Sequence, residues 1–252
     1  MSHAGAIRSD ERIWPDVASS TTAYAKRFRG SVGEFFLNVQ ETEVLRRIAD
    51  QKSESVLDVG GGHGQLAKAF AESGLAVTVT GSESRCEERL REVMSTDDYT
   101  FVESGLFPLP FESRSFDAVT SIRTMSHLSD WPRLLAELCR VARGVVLIDF
   151  AEKSWASRYA GIVLTAKRTV EKDTRWYLTQ SLQEVDDVFR ANGFRVEHVF
   201  RQFTIPMAVH RLLGVGCITS AVENTCRAIG LTRRIGGPVI VTAVPIKHGA
   251  RA

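Results

Sequence analysis

No two of the four cysteines, Cys86, Cys139, Cys217 and Cys226, form a CxxC pair. Their spacing excludes the common zinc motifs and offers no disulfide framework, so the thiols are read as reduced and no metal site is expected. Charge of one sign is also lacking: 32 basic residues stand against 30 acidic ones, for a formal net charge of +2. Nothing global therefore calls for a nucleic-acid partner. Long apolar runs are missing too. The opening "MSHAGAIRSDERIWPD" has no apolar core of the kind a secretory leader needs. The most apolar late stretch, "IPMAVHRLLGVGCITSAV" (205–222), carries His210 and Arg211 and makes a poor membrane span. No internal repeat, low-complexity tract or long linker interrupts the chain. The expectation is a soluble, cytoplasmic protein. At 252 residues and 44% apolar composition it has the material for one well-buried core.

What is present is a rhythm. The first 20 or so residues read as loosely ordered. From Thr22 to Asp50 apolar residues recur at threes and fours, with Phe35, Phe36, Val39, Val44, Leu45 and Ile48 on one face of a helix. Apolar strands then alternate with helices: "SVLDVG", "GQLAKAFAESG", "LAVTVTG", "ESRCEERLREVMS", "YTFVES", "SFDAVTSI", "WPRLLAELCRVAR" and "GVVLIDF". Strands and helices in that order mean βαβ units and a parallel sheet. After residue 150 the rhythm loosens. "SLQEVDDVFRANGF" reads as a helix capped by Ser181 and stopped by Gly193. "FRVEHVFRQFTIP" alternates like an antiparallel strand, 207–230 is helical, and "PVIVTAVP" is a last strand. The fold class expected is a Rossmann-like three-layer α/β sandwich. Its sheet has seven mostly parallel strands, with the last one antiparallel and inserted beside its neighbour.

The informative stretch is "SVLDVGGGHGQLAKAF" (55–70), with Gly60, Gly61, Gly62 and Gly64 following a strand and opening a helix. Glycine is costly in regular structure, but it lets a chain turn sharply and lets a ligand touch the backbone. The helix start behind it offers unpaired N–H groups. Glu83, about 20 residues further on, ends the second strand, where an acid can bind both hydroxyls of a ribose. "GHGQLA" also satisfies the GxGxxA pattern of a dinucleotide loop, which keeps a nicotinamide-dependent oxidoreductase in view. Asp58 argues against it. A carboxylate before the loop repels a pyrophosphate and attracts an ammonium or sulfonium.

With these residues the chain resembles the class I S-adenosylmethionine-dependent methyltransferases, in the small-molecule branch that includes the ubiquinone and menaquinone methyltransferases (the methyltransferase type 11 domain). The likeness also runs through "VTGSE" (79–83), "LPFESRSFDAVTS" (109–121) and "HLSDWPRLLAELCRVAR" (127–143). It implies methyl transfer from S-adenosylmethionine to a small organic acceptor, leaving S-adenosylhomocysteine. It implies that Asp58, Gly60, Gly62 and Gly64 line the methionyl and ribose part. Glu83 would hold the ribose with Ser84 beside it, and Leu106 and Phe107 would rest against the adenine. One departure stands out. Where the family often has an aspartate for the adenine amino group, this chain has Gly105. A lost side-chain hydrogen bond is worth about 1 kcal/mol, or five- to tenfold in affinity. That departure keeps a non-catalytic, cofactor-binding relative in view as the alternative.

Methyl transfer needs alignment and exclusion of water more than it needs an acid or base. The catalytic residue is therefore unknown, with Arg123 and His127, after the fourth strand, as candidates; each also reads as a packing or surface residue. His63 reads as a loop filler near the cofactor. Tyr24, Arg27 and Gln40 belong to a helix that resembles the family's cofactor cap. Residues 1–50 are expected to form an N-terminal helical cap and 51–150 the cofactor-binding core. Residues 151–252 are expected to add helical inserts, a substrate lid and the closing antiparallel strands. Trp155, Tyr159, Trp176 and Tyr177 on one insert, and His210 and Arg211 on the other, are the lid candidates. Peripheral membrane contact, and monomer or homodimer, stay open.

Overall fold

The apolar runs of the first half become parallel strands: β1 (Ser55–Val59), β2 (Ala76–Gly81), β3 (Thr100–Glu103), β4 (Phe116–Ser121) and β5 (Ala142–Glu152). The computed structural model describes residues 14–154, 178–214 and 216–246. Helices cover both faces of the sheet: α1 (Pro15–Ser19), α2 (Thr22–Ala25), α3 (Gly30–Asp50), α4 (Gln65–Glu72), α5 (Glu88–Val93) and α6 (Trp131–Val141). The charged segment after β2 was expected to be one helix. It is instead a 3-10 turn, Ser84–Glu87, leading into α5.

The second half adds β6 (Thr179–Gln180), α7 (Leu182–Ala191), β7 (Phe194–Phe203), α8 (Met207–Leu213), α9 (Gly216–Ala228), α10 (Leu231–Ile235) and β8 (Gly237–Pro245). Ser181 caps α7 in a reciprocal capping box with Glu184. The strand order is β3-β2-β1-β4-β5-β8-β7, with the two-residue β6 beside β5. β8 runs antiparallel between β5 and β7, so the last strand of the chain is the inserted one, as expected. The lid candidates Trp155, Tyr159, Trp176 and Tyr177 lie outside the described residues.

Alternation along the strands builds two cores. Leu57, Val119, Val146 and Ile148 face α6 and α7, in a cluster with Leu134, Leu138 and Phe189. Val56, Ala118, Val145 and Leu147 face α3 and α4, in a cluster with Val44, Ile48 and Phe70. On this second face, where the strands end, the alternation delivers polar residues instead: Asp58 on β1, Thr120 on β4 and Asp149 on β5.

The loosely ordered start is corrected in part. Residues 14–20 form α1 and its flanks, with Asp16, Val17 and Ser19 buried. The reason is chemical. Asp16 finds backbone and hydroxyl donors at the end of β2, and Trp14 finds an aromatic partner in Phe107.

Candidate active site

Strand order reverses between β1 and β4, because β1 continues leftward to β2 while β4 continues rightward to β5. Ligands of open α/β sheets bind beyond the carboxyl ends of strands at such a point. Asp58 stands there. It is 3% exposed, and its carboxylate accepts a hydrogen bond from Thr120 Oγ1 at 2.7 Å. Burial pushes its pKa up to about 6, against the pull of the Thr120 bond and the Arg123 charge.

The glycines have distinct reasons. A side chain on Gly61 would overlap the Asp58 carboxylate, and one on Gly62 would overlap Ser20 Oγ and the Cys86 carbonyl. Gly60 and Gly64 are left-handed, with φ of 73° and 79°. Gly64 begins α4 and faces Val93 and Leu90 of α5. The small cavity next to Asp58 is lined by Gly60, Gly61, His63, Ile122 and Arg123 among others. His63 lies between the rings of Tyr24 and Phe28, edge-on to both. Burial, helped by Arg123, pushes its pKa down to about 2, so it is neutral. Neither of its ring nitrogens has a hydrogen-bond partner among the described residues.

The front of this groove is filled by the chain itself. Asp16, fully buried, accepts hydrogen bonds from Ser82 N–H at 2.7 Å and Ser82 Oγ at 2.8 Å. Trp14 stands edge-on to Phe107, with ring centroids 5.3 Å apart. Its indole lies 3.4 Å from where a Cβ on Gly105 would be, so the missing acid leaves room for the indole. Leu106 and Phe107 are buried beneath it, and Arg133 lies 4.6 Å over the Phe107 ring. Glu83 points elsewhere: it is partly exposed and pairs with Arg85 at 2.6 Å. Ser84 opens the 3-10 turn behind it.

A second cavity, of about 140 Å³, adjoins the first through Arg123. Phe28, Phe36, Phe150, Phe203 and Met207 wall it, and Gln40, His127, Asp149 and Gln202 are its polar lining. Asp149 accepts the Arg123 backbone N–H at 2.5 Å and Gln40 Nε2 at 3.2 Å. Burial raises its pKa to about 6 as well, against the Arg123 and Gln40 contacts. Arg123 is held in the left-handed region at φ 64°, uncommon for a residue with a side chain and concentrated at functional sites. Its guanidinium lies over the Phe28 ring, 5.2 Å from the centroid.

A family model described as a methyltransferase domain matches residues 37–199. The chain belongs to the methyltransferase domain family. A demethylmenaquinone methyltransferase of Clavibacter sepedonicus is 32% identical over 110 residues, covering 42% of this chain and 45% of that protein. An uncharacterized methyltransferase of Mycobacteroides abscessus is 27% identical over 173 residues, covering 63% of this chain and 67% of that protein. The chain thus spans about half to two thirds of the length of these curated relatives. Among solved structures, the magnesium protoporphyrin IX methyltransferase of Synechocystis with bound S-adenosylhomocysteine has a TM-score of 0.62 at 15% identity. That match covers 90% of this chain and 96% of that one.

The cofactor of this methyltransferase family is S-adenosylmethionine. The groove suits a positively charged nucleotide in two observable ways. Asp58 is a buried carboxylate that accepts a hydrogen bond from a neutral hydroxyl, and His63 offers one donor and one acceptor that no described residue uses. Of the residues the sequence singled out, the fold brings Asp58, Gly60, His63 and Arg123 to one cavity, and Tyr24, Gln40, Arg123 and His127 to the next. It does not bring Gly62, Gly64, Glu83, Ser84, Leu106 or Phe107 to either.

His210 lines neither cavity. It is 1% exposed and bonded to Glu223 at 2.9 Å, with Glu223 also accepting the Thr204 and Ile205 N–H groups. Sequence reasoning missed Asp16, Asp149 and Gln202. Asp149 had a signal: "VVLIDF", like "SVLDVG", ends an apolar strand in an acid. Gln202 had none.

No helix among the described residues is long and apolar enough to cross a membrane, and they contain no group of three or more metal-ligating side chains. All four cysteines are free; Cys86 and Cys139 are buried, but Cys217 is exposed and Cys226 half-buried.

Proposed function

We propose that this chain is an S-adenosylmethionine-dependent methyltransferase acting on a small organic acceptor, with the acceptor seated in the 140 Å³ cavity. The carrying observation is that Asp58, buried at a glycine-fronted strand end, shares Arg123 with that aromatic-walled cavity. S-adenosylmethionine, when bound, supplies a methyl group on a sulfonium, which an aligned nucleophile displaces directly. Asp58 attracts the positive methionyl end, and Gly60 and Gly62 let the nucleotide touch the main chain. The aromatic walls exclude water and fix the line of approach. Glu83 reaches the ribose by leaving Arg85, an exposed pair that contributes little. Residues 1–50 act as the cap, 51–150 as the cofactor core and 151–252 as the lid and closing strands.

Loading requires α1 to step aside, because Asp16 holds the Ser82 donors and Trp14 covers Gly105 and Phe107. Calorimetric titration with S-adenosylhomocysteine tests the reading. Saturable binding, lost in Asp58→Asn, is expected; no heat up to millimolar ligand refutes it. The missing acid at Gly105 favours a second reading, a cofactor-binding protein without turnover. Binding with no labelled product across a broad acceptor panel would select it.

A further inference from the structure

Resting on the methyl-transfer reading, we propose that the acceptor is a single-ring compound bearing a phenol- or enol-type hydroxyl. Arg123 and Gln202 receive its oxygen, and Asp149 takes its proton. Size comes first. A cavity of about 140 Å³ is close to the ~150 Å³ that accepts one benzene ring, so a single ring matches its volume. The walls come next. Phe28, Phe36, Phe150 and Phe203 make its lining aromatic, the kind of wall against which another flat ring packs.

The polar atoms then choose the substituent. Gln202 is 2% exposed, and among the described residues its Nε2 has no hydrogen-bond partner. Arg123 Nη1 is likewise buried and without one among them. Two buried donors facing one cavity call for a ligand atom with lone pairs. An oxygen meets that call. An ammonium would meet the Arg123 charge, and a carboxylate would meet Asp149. Each Asp149 oxygen holds one protein donor and retains a lone pair, so the carboxylate can accept a proton without losing its place. Its pKa, raised by burial toward neutrality, suits that role.

The step balances. An oxygen lone pair forms the O–CH₃ bond, and the S–CH₃ bond breaks with its electrons kept by sulfur. The hydroxyl proton passes to Asp149 and from there to water.

Saturation-transfer NMR on the full chain with S-adenosylhomocysteine, using phenol, aniline and benzoate as probes, tests recognition. Turnover with methyl-labelled S-adenosylmethionine then tests the atom methylated. The expected result is phenol binding and a methyl ether product. Gln202→Leu should weaken phenol binding by about tenfold while S-adenosylhomocysteine affinity stays as in the parent. Asp149→Asn should keep phenol binding but lower kcat by about 100-fold or more, with partial rescue in Asp149→Glu. Preference for aniline or benzoate, methylation at carbon or nitrogen, or unchanged phenol binding in Gln202→Leu overturns the proposal. So does S-adenosylhomocysteine binding with no probe bound, which leaves the methyltransferase reading standing. Failure of S-adenosylhomocysteine itself to bind overturns the reading and the proposal with it.

Discussion

Asp58 and Asp149 are the two buried carboxylates at the strand ends whose charged forms burial disfavours. Each has a folded pKa of about 6 against 3.8 for an ordinary aspartate, and the cause is burial. A raised pKa means that stability is fully present below about pH 4 and is lost as pH rises through about 6. The loss is on the order of 3 kcal/mol per group at neutral pH. Asp58→Asn should therefore melt several degrees above the parent at pH 8 without ligand, with the gap closing by pH 4. The same substitution should abolish S-adenosylhomocysteine binding. A parent-like melting curve at pH 8 would remove burial as the source of the shift. Gly62→Ala belongs here too. Its methyl would overlap Ser20 Oγ and the Cys86 carbonyl, and a backbone carbonyl does not yield easily. A fall in melting temperature by about 5 °C is expected, from an overpacking cost of about 2 kcal/mol.

Asp58 was legible because an acid inside an apolar run, followed by four glycines in five residues, has no cheaper explanation. Asp149 sits in the same pattern without the glycines, so nothing local separated it from an ordinary strand end.

Among elements, α1 and the α8–α9 pair were the hardest to foresee. α1 is only five residues long, too short to show a period, and its place is set by contacts with Ser82 and Phe107 far along the chain. Replacing Asp16 by alanine removes two hydrogen bonds that hold it in the groove. Stopped-flow association of S-adenosylhomocysteine should speed up about tenfold in Asp16→Ala. A slower or unchanged rate would mean that α1 does not compete.

The insert at 207–230 reads from the sequence as a lid, and its Met207 walls the larger cavity. Its anchorage was not legible: Glu223, fully buried, ties α9 to the end of β7 through Thr204 and Ile205 and to α8 through His210. Glu223→Ala leaves two buried N–H groups unpaired, at about 1–3 kcal/mol each. A loss of roughly 10 °C in melting temperature is the expected readout. By contrast, β1 to β5 and their helices were legible throughout, because the periods of two and near four alternate without interruption.

Across the whole molecule, the sheet was legible and the cavity proposed for the acceptor was not, for one reason. Strands advertise themselves locally, whereas the cavity is assembled from α2, α3, the loop after β4, β5, β7 and α8. Its lining comes from four separate stretches of the sequence, 24–40, 123–127, 149–150 and 202–207, with Pro238 beyond them. Its separateness from the nucleotide groove gives a molecule-scale test. Met207→Trp should fill the cavity, leaving S-adenosylhomocysteine affinity as in the parent while stopping labelled turnover. Loss of both together would mean one continuous site.

The groove houses the chain's own aspartate and indole. If a nucleotide enters there as proposed, it exchanges one tenant for another, and the melting temperature then reports only the difference between their grips. A screen that reads a small rise as weak attachment would then discard the right compound. On the same proposal, the exchange run backwards after each turnover would give the spent nucleoside a rival for its berth and hasten its departure.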